Sequence, residues 1–415
     1  MRRSLLRSNR NYRLLLSGSV VTNLGDGVVA VAMPWLAALL TRDPVQIAAV
    51  ATAGSLPWFL FALPAGVWTD RADRRRLMIR ADCVRLALAA CVVAMTLAVP
   101  AGPVAAGAQA GLVATLAAIA FLAGTAEVVR DNAAQTLLPS IVAGDELERA
   151  NGQMWSAEQV VGRFLGPPLA GALIAAGISV PFGFNAATLA LAIGTVWLIT
   201  LPARTPAAPA RFWPALLEGV GWMRRTPPIL RLAVMLGAFN AVAVGGWTIL
   251  VLYAQEVLGL GARGYGLLLA CAAAGGVLGG IVAPGVARRI GMRASLILAL
   301  ASFVLLHLAL GLSRSVPLAA LAMVLEAAGV MLWNVVTVSY RQRLIPDGLL
   351  GRVNAVYRFF AWGAMPFGAL GAGALVSALE PAFGRAAALH GPYLLGALVC
   401  GGLLVYGTLR LRFDS

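Results

Sequence analysis

The sequence contains no lysine. All 32 of its basic residues are arginines, set against 17 acidic residues, for a formal net charge of +15. Charge of either sign is scarce, at 12% of 415 residues, where soluble domains carry about 25%. In a soluble protein this excess of arginine would raise nucleic acid as a partner. In a chain this apolar, retention of basic loops in the cytoplasm is the better account, and no nucleic-acid partner is expected. The lack of lysine reflects a GC-rich coding sequence and says nothing of function. Cysteine is also sparse. Cys83, Cys91, Cys271 and Cys400 fall in apolar segments without metal-ligand or disulfide spacing, and read as small packing residues. There is no P-loop, no His/Cys cluster at metal spacing and no nucleophile elbow. No soluble stretch is long enough for a nucleotide-binding domain. An enzyme, a metal site and an ATP-driven pump are therefore not expected, and no cofactor is needed.

What the chain does have is long apolar runs. Hydrophobic residues make up 60% of it, and a helix of about 20 residues crosses the ~30 Å core of a bilayer. Twelve spans are predicted, at 14–38, 46–68, 77–99, 108–129, 153–177, 181–201, 229–255, 265–285, 294–312, 316–338, 354–378 and 389–409. The opening MRRSLLR resembles a twin-arginine export signal, but the apolar stretch after it is too long and is followed by many more spans. With the N-terminus in the cytoplasm, 26 arginines fall in inside segments and 4 in outside loops. Arg85 and Arg163 lie within spans. A wrong span count would scramble that alternation, so both termini are expected in the cytoplasm.

The longest stretch between spans runs from Pro202 to Pro228 and is rich in proline, alanine and arginine. It reads as a cytoplasmic linker (202–228) between an N-terminal half (1–201) and a C-terminal half (229–415). Its FWPALLEGVGWMRR (212–225) is amphipathic enough to lie on the inner membrane surface. The halves look alike. VVRDNAAQTLLP (128–139) faces VVTVSYRQRLIP (335–346) at an offset of 207, and ERANGQ (148–153) faces GRVNAV (351–356) at 203. The pattern implies an all-α membrane protein of two parallel six-helix repeats.

Two motifs carry a family resemblance. GVWTDRADRRRLMIR (66–80) is similar to the loop signature G-x-x-x-D-R-x-G-R-R, in Gly66, Asp70, Arg71, Arg74 and Arg75, with Asp73 where glycine is usual. GRFLGPPLAG (162–171) is similar to the antiporter motif of the fifth helix, in Gly162, Gly166, Pro167 and Gly171, with Ala170 in place of one glycine. Over its full length the chain resembles the major facilitator superfamily. The tracts NLGDGVVAVAMPWL (23–36), LYAQEVLGL (252–260) and RQRLIPDGLLGRVNAV (341–356) are similar to its macrolide-efflux and enterobactin-exporter subgroup. An arginine deep in the fourth helix, another drug-exporter signature, is missing, because Arg130 is placed at the cytoplasmic end of that span. The resemblance implies a monomeric exporter of the cell membrane, working on small molecules by proton antiport. It also implies that Asp70 docks on a helix N-terminus, where the dipole favours a carboxylate, as a latch with Arg71.

Ionised groups inside spans cost about 2.5–3.5 kcal/mol each on insertion scales, so each asks for a reason. Asp26 is central in the first span, with Asn23 on the same face. It is a candidate for proton coupling or for a cationic substrate, with a capping role at the Gly25/Gly27 break as the alternative. Glu158 and Arg163 are some 140° apart on an ideal helix and are not expected to pair. Arg163 is free to approach Asp26 or a substrate carboxylate. Glu326 is a second proton or cation candidate, with a buried hydrogen bond as the alternative. Asp82 and Arg85, three residues apart, read as a local ion pair, and Glu127, Arg130 and Asp131 as part of a cytoplasmic gate. His307 reads as structural, while Asn240, Asn334 and Tyr340 are candidates to line a cavity. Two other readings stay open: export of an endogenous metabolite such as a siderophore, and a transport-inactive sensor or scaffold.

Overall fold

The computed structural model describes residues 5–71, 73–98, 106–143, 146–200 and 212–411; the side chains of 62–71 and 212–216, and of a few single positions, are not described. Gly66, Asp70 and Arg71 of the loop signature fall outside the described side chains, and 202–211 of the linker outside the described residues. Regular structure among the described residues is helical throughout. In chain order it comprises α1 (Leu5–Ser8), α2 (Arg10–Leu40), α3 (Pro44–Arg71), α4 (Arg74–Ala98) and α5 (Ala106–Ile141). Then come α6 (Leu147–Ala157), a π-helical segment (Glu158–Leu165), α7 (Gly166–Ala176), α8 (Val180–Trp197) and α9 (Phe212–Arg225). The remainder is α10 (Pro227–Glu256), α11 (Ala262–Leu312), α12 (Val316–Leu344), α13 (Asp347–Gly363), α14 (Met365–Phe383) and α15 (Arg385–Arg410).

Eleven stretches among the described residues are long and apolar enough to cross a membrane. One of them, α11, has 51 residues, about 76 Å of helix and more than twice the hydrocarbon thickness. It divides at Gly291, whose φ of 78° and ψ of 171° are not helical. The two arms match the eighth and ninth spans, which restores the count of twelve. That backbone region is essentially closed to residues with a Cβ. Gly291→Ala is expected to lower stability by about 1–3 kcal/mol, read as a drop in Tm of the detergent-solubilised protein.

Other boundaries moved. The fourth span was placed at 108–129, yet α5 continues to Ile141. Hydropathy falls at RDNAAQ, but nothing there breaks a helix before Pro139. The fifth span is a composite of α6, the π segment and α7, and the eleventh of α13 and α14.

The chain forms two compact units. One holds Met1–Thr41, Ala53–Pro209 and Ala262–Ala270; the other holds Arg42–Thr52, Ala210–Gly261 and Cys271–Ser415. In the first unit, Leu5, Tyr12, Leu15, Met78, Leu137 and Val196 form a core, and the Tyr12 hydroxyl donates to Gln153 Oε1 at 2.7 Å. In the second, Phe239 stacks on Phe303 with ring centroids 3.8 Å apart, within a core that includes Leu232, Leu296 and Trp333. Large apolar side chains are also fully displayed, among them Leu97, Ile281, Leu312 and Leu398, each over 70% exposed. A surface that apolar suits lipid.

Also in the second unit, Arg385 donates to Glu256 at 2.8 Å and to Glu380 at 3.0 Å, while Arg42 donates to Gln255 at 2.5 Å. Arg42 and Arg385 are two of the four arginines placed in outside loops.

Candidate functional site

In the first unit α2, α4 and α5 bring together six charged side chains. Asp26 lies on α2, about 24 Å from its start and about 21 Å from its end. Its carboxylate is bonded by Arg85 of α4. The other terminal nitrogen of Arg85 lies 3.5 Å from Asp82, one turn earlier on the same helix. Arg130 of α5 approaches Asp82 at 3.7 Å through Nε and its own neighbour Asp131 at 3.4 Å through Nη1. Its remaining nitrogen donates to the Thr22 hydroxyl of α2 at 3.0 Å. Glu127, one turn before Arg130 on α5, acts electrostatically on Arg85.

Burial across the cluster is graded. Asp82 is fully buried, and Arg85 and Arg130 are 7% and 6% exposed. Asp26 and Asp131 keep 29% and 35% of their side-chain surface. The deep charges are thus shut away, while Asp26, Asp131 and the half-buried Glu127 keep some surface exposed. Neither carboxylate oxygen of Asp82 accepts a hydrogen bond; both guanidiniums face it at ion-pair distance only.

The expected Asp82–Arg85 pair is present, but it is one link of a larger network. The proposed approach of Arg163 to Asp26 is not: Arg85 holds Asp26, and Arg163 lies 3.5 Å from Glu158. The expectation that Glu158 and Arg163 do not pair is also overturned, for a geometric reason. From Glu158 to Leu165 the helix is π-wound, and the Gly166 amide bonds back to Val161, five residues earlier. Bonding of that kind winds about 4.4 residues per turn, so five residues end roughly 50° past a full turn and face the same way. The prolines explain the winding in part. Pro167 and Pro168 follow the π segment without a break and offer no amide hydrogen to its carbonyls.

The other motif residues have a packing role. A Cβ on Gly166 would lie 2.8 Å from Gly27 Cα, and one on Gly162 3.1 Å from the Asn23 carbonyl. α2 and the π segment thus cross backbone to backbone beside Asp26, a contact that only glycine permits. Of the loop signature, Arg74 donates to the Thr136 carbonyl of α5 at 2.5 Å and to Ser140 at 2.9 Å. Arg75 bonds the Trp197 carbonyl at the end of α8, where a cation complements the helix dipole.

In the second unit the candidates stay apart. Glu326 of α12 is 5% exposed and acts electrostatically on Cys400 of α15. Asn240 donates to the Ala361 carbonyl at 2.7 Å, and Asn334 is exposed. His307 is buried with Nδ1 2.8 Å from the Phe303 carbonyl, as a structural histidine would be.

Arg85 and Arg130 are the two members of the network that sequence reasoning undervalued. Arg130 is 11 residues, about 16 Å, inside the end of α5 rather than at it. The available signal was the unbroken helical potential through residue 138.

Six ionisable side chains gathered within apolar spanning helices are costly to place there. The family model described as transmembrane secretion effector, within the major facilitator superfamily, matches residues 6–407, and the chain belongs to that family. The multidrug efflux pump Tap of Mycolicibacterium fortuitum is 28% identical over 410 residues, covering 95% of this chain and 94% of that one. The enterobactin exporter EntS of Salmonella typhi is 25% identical over 418 residues, covering 98% and 95%. Among solved structures, a bacterial homologue of the iron transporter ferroportin in its inward-facing state superposes with a TM-score of 0.73 at 20% identity, covering 97% of this chain and 100% of that one; at that identity the likeness concerns the fold alone. The chain is a multi-pass membrane transporter and not an enzyme.

Proposed function

We propose that this transporter exports amphipathic small molecules of the drug or macrolide type from the cytoplasm, by proton antiport and alternating access. The observation that carries the reading is the Asp26–Arg85 pair at the centre of α2, joined to a network of further acids. Asp26 takes up a proton from outside and releases Arg85, and loss of that proton restores the pair. Asn23 beside it, Glu326, Asn240 and Asn334 are proposed to line the path of proton or substrate. The halves 1–201 and 229–415, joined by 202–228, would alternate around the substrate. Asp70 and Arg71, with Gly66, would latch the cytoplasmic side, and Arg74 and Arg75 would anchor that loop. The protein would act as a monomer in the cell membrane with both termini in the cytoplasm. The relative named as a multidrug efflux pump supports the substrate class.

A second reading is export of an anionic metabolite of the siderophore kind. It is favoured by Arg163, whose side chain is 69% exposed although it lies on a spanning helix, and by the relative named as an enterobactin exporter. A susceptibility panel in an efflux-deficient host, comparing wild type, Asp26→Asn and empty vector at matched expression, separates the readings. Drug export predicts raised tolerance with wild type, lost with Asp26→Asn and lost when a protonophore collapses the gradient. Protection against no compound would reject drug export and leave the metabolite. Full protection by Asp26→Asn would reject the role given to Asp26.

A further inference from the structure

The charges of the first unit do not balance. Asp26, Asp82, Glu127 and Asp131 supply four carboxylates, while Arg85 and Arg130 supply two guanidiniums. Arginine does not lose its proton in proteins, so the positive side of the sum cannot change. Uncompensated charge among apolar helices is expensive, and two negative charges remain uncompensated when all four acids are ionised.

Among the described residues of α8, the π segment and α2, no unpaired charge beside the cluster supplies the difference. α8 presents Asn185 and Thr188 beside Gly25, both uncharged. The π segment presents Glu158 and Arg163, which pair with each other. On α2 the polar groups nearest Asp26 are Ser19, Thr22 and Asn23, all uncharged, and the Thr22 hydroxyl is already used by Arg130. Independently of the count, Asp82 is fully buried between the two guanidiniums and its oxygens accept no hydrogen bond. Its carboxylate points into the cluster as an unfilled acceptor.

We infer that this cluster is a binding site for two protons, taken up together as a charge-balanced unit of four acids and two arginines. Each uptake forms one carboxyl O–H bond with a proton delivered by water, and the partly exposed Asp26 and Asp131 are the points of entry. The protons belong to the network and not to single residues, as in other strongly interacting sites. If the antiport reading also holds, one exported molecule is exchanged for two protons and transport of an uncharged substrate moves net charge across the membrane.

The test uses the purified full-length protein in detergent and a potentiometric titration from about pH 9 to about pH 5, the range around the carboxyl and histidine values. The reference is Asp26→Asn/Glu127→Gln, in which two acids face two arginines and the cluster is neutral without added protons. Wild type is expected to take up two more protons than this variant. Asp26→Asn and Glu127→Gln singly should each remove one, which covers a failure of the double variant to fold. A difference of zero, or of one, overturns the inference. The measurement needs no substrate. Two bound protons with drug tolerance indifferent to a protonophore would leave the site standing and reject antiport.

Discussion

Arg85→Met is expected to lower stability by about 3–5 kcal/mol and to abolish transport. Arg85 is the link between α2 and α4, because it bonds Asp26 on one helix and faces Asp82 on its own. Methionine keeps much of the side-chain volume, so little of the loss comes from packing. The cost arises because Asp82, fully buried, is left with Arg130 at 3.7 Å as its remaining counter-charge. The check is a Tm series in detergent with Arg85→Met, Asp26→Asn and the double variant. Removing the facing acid as well should restore part of the lost stability, with transport still absent. A single variant that melts like wild type would show that the pair is a surface-grade contact, worth about 0–1 kcal/mol.

Glu326→Met is expected to act in the opposite direction on stability. Glu326 is 5% exposed on α12 and makes no ion pair or hydrogen bond among the described residues. An unpartnered buried polar group costs about 1–3 kcal/mol in protein mutational series, and methionine fills the same space without it. A rise in Tm equivalent to about that amount is expected, together with reduced export. Groups kept at a cost in stability are kept for activity. A higher Tm with unchanged export would remove Glu326 from the transport path. An unchanged or lower Tm would show that the carboxyl has a partner there.

How much was legible beforehand differs from one feature to the next. The spans followed from hydropathy, because an apolar run of twenty residues has few alternatives to a membrane helix. The division of α11 at Gly291 follows from the same pattern, since arginines 288, 289 and 293 interrupt the apolar run there. The C-terminal end of α5 was missed because hydropathy, not helix propensity, was used to end it. The Asp82–Arg85 link was readable from a spacing of three. The partner of Asp26 was not, since 59 residues separate it from Arg85 and only the tertiary arrangement, in which α2 and α4 both pack on α8, decides the match. The Glu158–Arg163 pair was misjudged because an ideal α pitch was assumed where the chain is π-wound.

That π segment has a bearing on how relatives are compared. A π turn is an α turn that has absorbed an extra residue, so α6 and α7 are out of phase with each other although they are continuous in space. A helical wheel drawn through 147–176 as one cylinder assigns the wrong face to one of its ends. A relative with plain α-helix at this place would carry a one-residue gap within 158–165. An alignment that places the gap elsewhere would rotate Gly162 and Gly166 away from Gly27, and the glycine crossing would vanish from the comparison while remaining present in both molecules.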